Sequence, residues 1–219
     1  MKEAPRLRGG LVARTAALFA GLVAIAVAIV ILLESQLGLA PWDVFHLGVA
    51  AHTPLSIGWV SVVVGLVVLF VAWAVGARPG FGTVANAIVI GITIEVLLTF
   101  EAVTGLSEAG LPLRGVLLVA GVVLFGVGSA FYIGAGLGAG PRDSLMLALS
   151  ARTGRRIGLV RGSMEVAVLS VGFLLGGTVG VGTVAVALLL GPAVEASFWA
   201  LTKLGWAERA PVDQSSSTL

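Results

Sequence analysis

The strongest constraint on this chain is a segment that occurs twice, at an offset of one hundred residues. Residues 37–60 and 137–160 agree without a gap at Leu37/Leu137, Gly38/Gly138, Pro41/Pro141, Asp43/Asp143, Leu47/Leu147, Ala51/Ala151, Thr53/Thr153, Ile57/Ile157, Gly58/Gly158 and Val60/Val160. Proline, aspartate and threonine are scarce in the surrounding sequence, so shared apolar bias does not align them; the pattern is that of an internal duplication. The same offset continues through Gly80/Gly180, Gly82/Gly182, Thr83/Thr183, Val84/Val184, Ala85/Ala185, Ala87/Ala187, Gly91/Gly191 and Glu95/Glu195.

What surrounds the duplicated segment is apolar. The chain is 58% hydrophobic and 11% charged, with a mean hydropathy of +1.09, where soluble domains carry roughly 25% charged residues. Runs at 11–33, 57–75, 83–100, 113–133, 157–175 and 181–204 approach or exceed the length needed to cross a bilayer. The first run is too long for the apolar part of an ordinary signal peptide and reads as a transmembrane helix. With no cysteine in the chain, disulfides, thiolate metal sites and cysteine nucleophiles are excluded. The net charge of +2 gives no reason to expect nucleic acid, and in a membrane protein basic residues mostly set orientation.

Each copy thus holds three spanning helices, and three is odd, so the second copy is expected upside down in the membrane. The expected fold is all-α: a polytopic membrane bundle of six spanning helices, arranged as two inverted three-helix repeats, each with a short broken or re-entrant helix. The boundaries are a cytoplasmic leader at 1–10, repeat one at 11–105, repeat two at 106–205 and a disordered cytoplasmic tail at 206–219. Charge supports this independently. With the N-terminus inside, the inner side receives Lys2, Arg6, Arg8, Arg14, Arg78, Arg142, Arg152, Arg155, Arg156, Arg161, Lys203 and Arg209, and the outer side only Arg114. Twelve against one is a strong positive-inside signal.

Pro41 and Asp43, like Pro141 and Asp143, suit the first turn of a helix, where proline needs no N–H partner and an acid complements the dipole. A helix over 41–52 is too short to span and fits a re-entrant or interfacial segment. Either the two half-helices point their N-termini at a shared central site, or Asp43 and Asp143 are caps of helices lying at the interface.

Glu95 and Glu195 close the series Thr83, Ala87, Gly91, Glu95 and Thr183, Ala187, Gly191, Glu195. Steps of four lie along one helix face, and small residues permit close helix contact. Both carboxylates are therefore expected in the bundle interior, near one another or near a shared polar cavity. Charge there is a functional candidate by default; the alternative is a hydrogen-bonded glutamate that holds helix packing. Asn86 joins the candidates for a substrate or ion pathway, although lone polar residues such as Asn86 and Gln36 more often serve as packing glue. Arg161 and Glu165 sit four apart and are expected as a structural pair. His46 and His52, six apart in one segment, have poor spacing for a helical metal pair, and no metal site is expected.

Leu37 to His46, followed by Ser56-Ile57-Gly58 and by Gly80 to Thr83, resembles the YczE/YyaS/YitT family of bacterial integral membrane proteins. The resemblance covers about residues 15–200 and rests on Gly38, Pro41, Trp42 and Asp43, with their echo in Gly138, Pro141, Arg142 and Asp143. It implies a multi-pass protein of the bacterial plasma membrane, here with both termini cytoplasmic, and it brings no established catalytic or ligand residues.

The leading functional expectation is a small permease or secondary transporter. Its partners would be the bilayer and a small molecule or ion, with no nucleic acid and no cofactor, and homo-oligomerisation is compatible with the sequence. A non-transporting accessory or scaffold protein is the second, and a membrane enzyme a weaker third, because no nucleophile–base constellation or nucleotide motif stands out. A polar cavity between the repeats would favour transport, and a dry, packed bundle the scaffold.

Overall fold

The structure, a computed structural model, describes residues 5–108 and 110–208. In chain order it runs strand β1 (Arg6–Leu7), α1 (Leu11–Ser35), α2 (Pro41–Ala51), α3 (Ile57–Ala74), α4 (Phe81–Leu97), α5 (Glu101–Thr104), a 3-10 turn (Gly105–Glu108), α6 (Leu111–Gly134), α7 (Pro141–Thr153), α8 (Ile157–Leu174), α9 (Val181–Lys203) and strand β2 (Ala207–Glu208). The chain is thus helical almost throughout, as its apolar runs imply.

Among the described residues four helices, α1, α3, α6 and α9, are long and apolar enough to cross a membrane, and α4 with α5 and the 3-10 turn makes a fifth if that pair, bent by 87°, counts as one span. By this measure the expected six spans are met at four or five; α8, with Arg161 and Glu165 in its 18 residues, is not among them. Between the apolar runs 83–100 and 113–133, residues 101–108 form α5 and the 3-10 turn. The disordered tail expected from 206 begins instead with an ordered strand: β2 pairs antiparallel with β1, Leu7 opposite Ala207, and the Arg8 amide donates to the Trp206 carbonyl at 2.9 Å. Residues 209–219 and 1–4 lie outside the described residues.

At the centre α1 crosses α6. The helices meet at Gly21 and Gly128: a Cβ on Gly21 would come within 2.6 Å of the Gly128 carbonyl oxygen, so only glycine permits this approach. Around the crossing, Leu18, Leu22, Ile25 and Ile29 pack with Ile57, Ala85 and Ile94, and Leu32, Leu39, Val44, Val122 and Val186 form a second cluster. Outward faces are apolar, with Phe70, Val116 and Leu188 more than half exposed, as a lipid-facing surface requires.

The duplicated positions hold one another. Arg14 donates to the carbonyls of Ala135 and Gly136 at 2.7 and 3.0 Å. Arg114 donates to those of Ser35 and Gln36, both at 2.7 Å. Each guanidinium thereby satisfies carbonyls left free at the end of the other copy's first helix. The loops before the half-helices behave alike. The Gly182 amide donates to the Leu37 carbonyl at 2.6 Å, and the Gly82 amide to the Leu137 carbonyl at 2.8 Å. Gly38 and Gly138 turn these loops with φ of 122° and 134°, a region that glycine alone enters freely. The hydroxyls of Thr83 and Thr183 accept from the amides of Gly80 and Gly180, which accounts for the repeated glycine–threonine pattern.

The half-helices are exchanged between copies: α2 packs along α8, and α7 along α3. The largest departure from this correspondence is one helix pair. α3 packs tightly on α4, whereas their counterparts α8 and α9 scarcely touch.

Candidate functional site

A cavity of about 490 Å³ lies between the two copies. The starts of both half-helices line it: Pro41 of α2 with Ala40 before it, and Pro141 of α7 with Gly140 before it. Pro41 and Pro141 start these helices and Asp43 and Asp143 occupy their first turns, so two positive dipole ends converge on one space. The polar part of the wall is formed by Trp42, His46, Ser61, Asn86, Ser129, Tyr132, Arg142, Asp143, Arg161 and Glu165.

Across the cavity entrance to the half-helices, the Arg142 guanidinium stands 4.6 Å from the centroid of the Trp42 ring. Trp42 and Arg142 are equivalent positions of the duplicated segment, so the one substitution between Pro and Asp turns the meeting of two copies into a cation–π pair. Arg142 is also within electrostatic reach of Asp43, Asp143 and Glu165. Asp43 itself is not part of the cavity lining: it is 2% exposed, and its Oδ1 lies 3.6 Å from His46 Nδ1. Asp43 Oδ2 and the Tyr132 hydroxyl are buried without a hydrogen-bond partner among the described residues. The Tyr132 hydroxyl, on a residue 4% exposed, lies against the start of α7, where a Cβ on Gly140 would come within 2.9 Å of it.

Arg161 Nε pairs with Glu165 Oε1 at 3.0 Å, as their spacing predicts. Both line the cavity, and so do their counterparts Ser61 and Gly65 on α3. One wall is therefore charged and the other small.

The structure brings Asp143 and Asn86 to the cavity, with Asp43 close behind, but places neither Glu95 nor Glu195 there. Glu95 is half-buried at the end of the α3–α4 contact and accepts a hydrogen bond from the Ser56 hydroxyl. Glu195 is exposed on α9. The expectation that both face a common interior and approach each other is not met, and helix geometry gives the reason. A step of four residues advances the helix about 40° beyond a full turn, so three steps from Thr83 to Glu95 rotate the face by about 120°. Ala87 still lines the cavity, while Gly91 has turned onto α3, where a Cβ would meet the Gly58 carbonyl at 2.6 Å.

Trp42, Tyr132 and Arg142 were not among the site residues read from the sequence, although Trp42 and Arg142 stand in the segments that carry the family resemblance. The differing pair 42/142, flanked by matches, was the available signal. His46, set aside as a metal ligand, lines the cavity beside Asp43. His52 bonds back to the Gly48 carbonyl at 3.0 Å within its own helix.

Comparison with known proteins places this chain. Residues 12–197 match the model of a family of unknown function, DUF6198, and the chain belongs to that family. It is 36% identical over 187 residues to a Bacillus subtilis protein described as the uncharacterized membrane protein YczE, covering 83% of each chain. It is 39% identical over 165 residues to an uncharacterized protein of Haemophilus influenzae, covering 74% of this chain and 72% of the relative. The YczE-like resemblance of the Pro41–Asp43 segment is thereby borne out, and a multi-pass membrane protein is the class that the fold and these relatives define. No solved structure matches.

Proposed function

We propose that this protein is a small secondary transporter or permease of the bacterial plasma membrane, built from two inverted repeats, whose substrate site is the cavity between them. The observation that carries this is the convergence of both half-helix N-termini on one polar-walled space. Half-helix ends at a repeat interface are where transporters of this plan bind substrates and coupling ions. The volume suits a small molecule, and a packed scaffold would have no need of it. In this reading the partners are the bilayer and a small polar molecule or ion, and no covalent chemistry is performed.

The inverted arrangement is supported by the reciprocal bonds of Arg14 with Arg114 and of Leu37–Gly182 with Leu137–Gly82. Six spans, with α4 and α8 each crossing, agree with the β1–β2 pairing, because ends that meet on one side require an even number of crossings. At 18 residues α8 rises about 27 Å, close to the thickness of the apolar core. Charge puts that shared side in the cytoplasm.

The test is a ligand-stabilisation screen on purified protein over small polar metabolites and ions at several pH values. A binder should raise the melting temperature of the native chain and of Glu195→Gln, and lose its effect in Arg142→Gln and Asp143→Asn. A binder whose effect survives both cavity variants would place the site elsewhere. Flux of the binder into vesicles containing the protein then separates transport from binding alone.

A further inference from the structure

The two copies pack one helix pair differently, and the difference has a direction. In the first copy α3 and α4 are shut together. Gly58 faces Gly91 and Glu95 so closely that a Cβ on Gly58 would come within 2.7 Å of the Glu95 amide nitrogen. A Cβ on Gly65 would lie 3.1 Å from that of Ala87. The Ser56 hydroxyl, at the start of α3, closes the end of the seam by donating to Glu95. In the second copy the same residue types stand at Gly158, Ala187, Gly191 and Glu195, yet α8 and α9 scarcely touch. A Cβ added to Gly158, Gly162 or Gly191 would meet nothing within 4 Å. Gly191 and Glu195 are exposed. Glu195 has no side-chain hydrogen bond or ion pair among the described residues.

We propose that α8 and α9 close on each other in a second state of the protein, as α3 and α4 do here, with Arg156 pairing Glu195 at the end of the closed seam. Arg156 takes the position of Ser56, the residue before the helix start, so the hydroxyl–carboxyl hydrogen bond of the first copy becomes an ion pair in the second. What covers the bare face of α9 is read from the equivalent face of α4 within the same molecule. Gly191 and Glu195 thus repeat the close-contact residues of α4 without the helix contact that α4 makes. Closure would seal the side on which Met164 and Glu165 of α8 and Val186 and Leu190 of α9 border the cavity. The inference rests on the two-repeat reading of the cavity and supplies its gate, independent of what the cavity binds.

The chain has no cysteine, so thiols can be placed at will. In native membranes Arg156→Cys with Glu195→Cys, treated with a short bifunctional thiol reagent, should give a link within one chain, and neither single variant should. Links only between two chains would mean that a second copy covers this face, and an absence of links would mean that the helices stay apart; either overturns the proposal. The ion pair is tested separately with Met164→Cys and a charged, membrane-impermeant thiol reagent. Glu195→Arg or Arg156→Glu should raise its labelling rate about two- to five-fold, the range that an exposed ion pair supports, and the two together should restore it. An unchanged rate in the single variants, or a double variant that adds the two effects, would remove the pairing. Intrachain linking in a protein that moves no substrate would leave the closure standing and remove only the transporter reading.

Discussion

The guanidinium of Arg142 stacks on the indole of Trp42 at 4.6 Å, and the two residues are the same position of two copies of one segment. The duplicated half-helices therefore meet at equivalent positions, and these hold unlike residues. A pair of tryptophans or a pair of arginines would place like groups face to face; one of each makes an attraction.

This pair should be energetically coupled. In detergent, Trp42→Ala and Arg142→Ala should each lower stability, and the double variant should lose less than the sum, with a coupling of roughly 0.5–2 kcal/mol as expected for a partly desolvated cation–π contact. Strict additivity in thermal or denaturant melts would show that the stacking contributes nothing.

Arg14 and Arg114 should be equally demanding. Each donates two charge-assisted hydrogen bonds to helix-end carbonyls of the other copy. Replacement by glutamine should cost about 1.5–3 kcal/mol, the range for hydrogen bonds to a charged group. Lysine should recover only part of this, since it lacks the planar fork that reaches both oxygens. Melting temperatures of the three forms at each position measure it.

Glycines at equivalent positions should respond with opposite tolerance. Gly91→Leu drives a side chain into the Gly58 carbonyl and should lower stability by roughly 1–3 kcal/mol or more. Gly191→Leu enters open space and should leave melting almost unchanged, while abolishing the intrachain link between positions 156 and 195. Equal destabilisation by both substitutions would mean that the two helix pairs are packed alike.

Orientation is checked by reporter fusions. Fusions after Leu55 and Ser107 should report the outside and a fusion after Arg155 the inside, since charge places twelve basic residues against Arg114 alone. An inside signal from Ser107 would break the six-span plan.

The fold was largely legible in the chain because bilayer length and side-chain period act locally: the helices begin within two residues of where apolar runs and the Pro41 and Pro141 starts place them. The half-helices also follow from the duplicated Pro and Asp, which left open whether their N-termini converge. Glu95 and Glu195 were misplaced because a four-residue step was treated as a fixed face, when it rotates steadily about the helix. Trp42, Arg142 and Tyr132 were hidden for another reason. Their roles arise between elements a hundred residues apart, and neither hydropathy nor identity at the repeat offset registers a contact between unlike residues. Arg14 and Arg114 share that offset too, but what they bond to could not be read without the coordinates.

The exchanged hydrogen bonds have a consequence for how the protein is made. A ribosome delivers Arg14, Leu37 and the end of α1 to the membrane long before Ala135, Gly182 and Arg114 exist. During that interval the first half sits in the bilayer with a guanidinium and several helix-end carbonyls unanswered at the membrane boundary, where only water and headgroups can take their partners' place. Its partners arrive only with the second half, and each half then completes the other. The nascent chain is thus committed to a waiting period in which the insertion machinery, lipid headgroups or a chaperone must shelter polar groups that the finished protein will hold for itself.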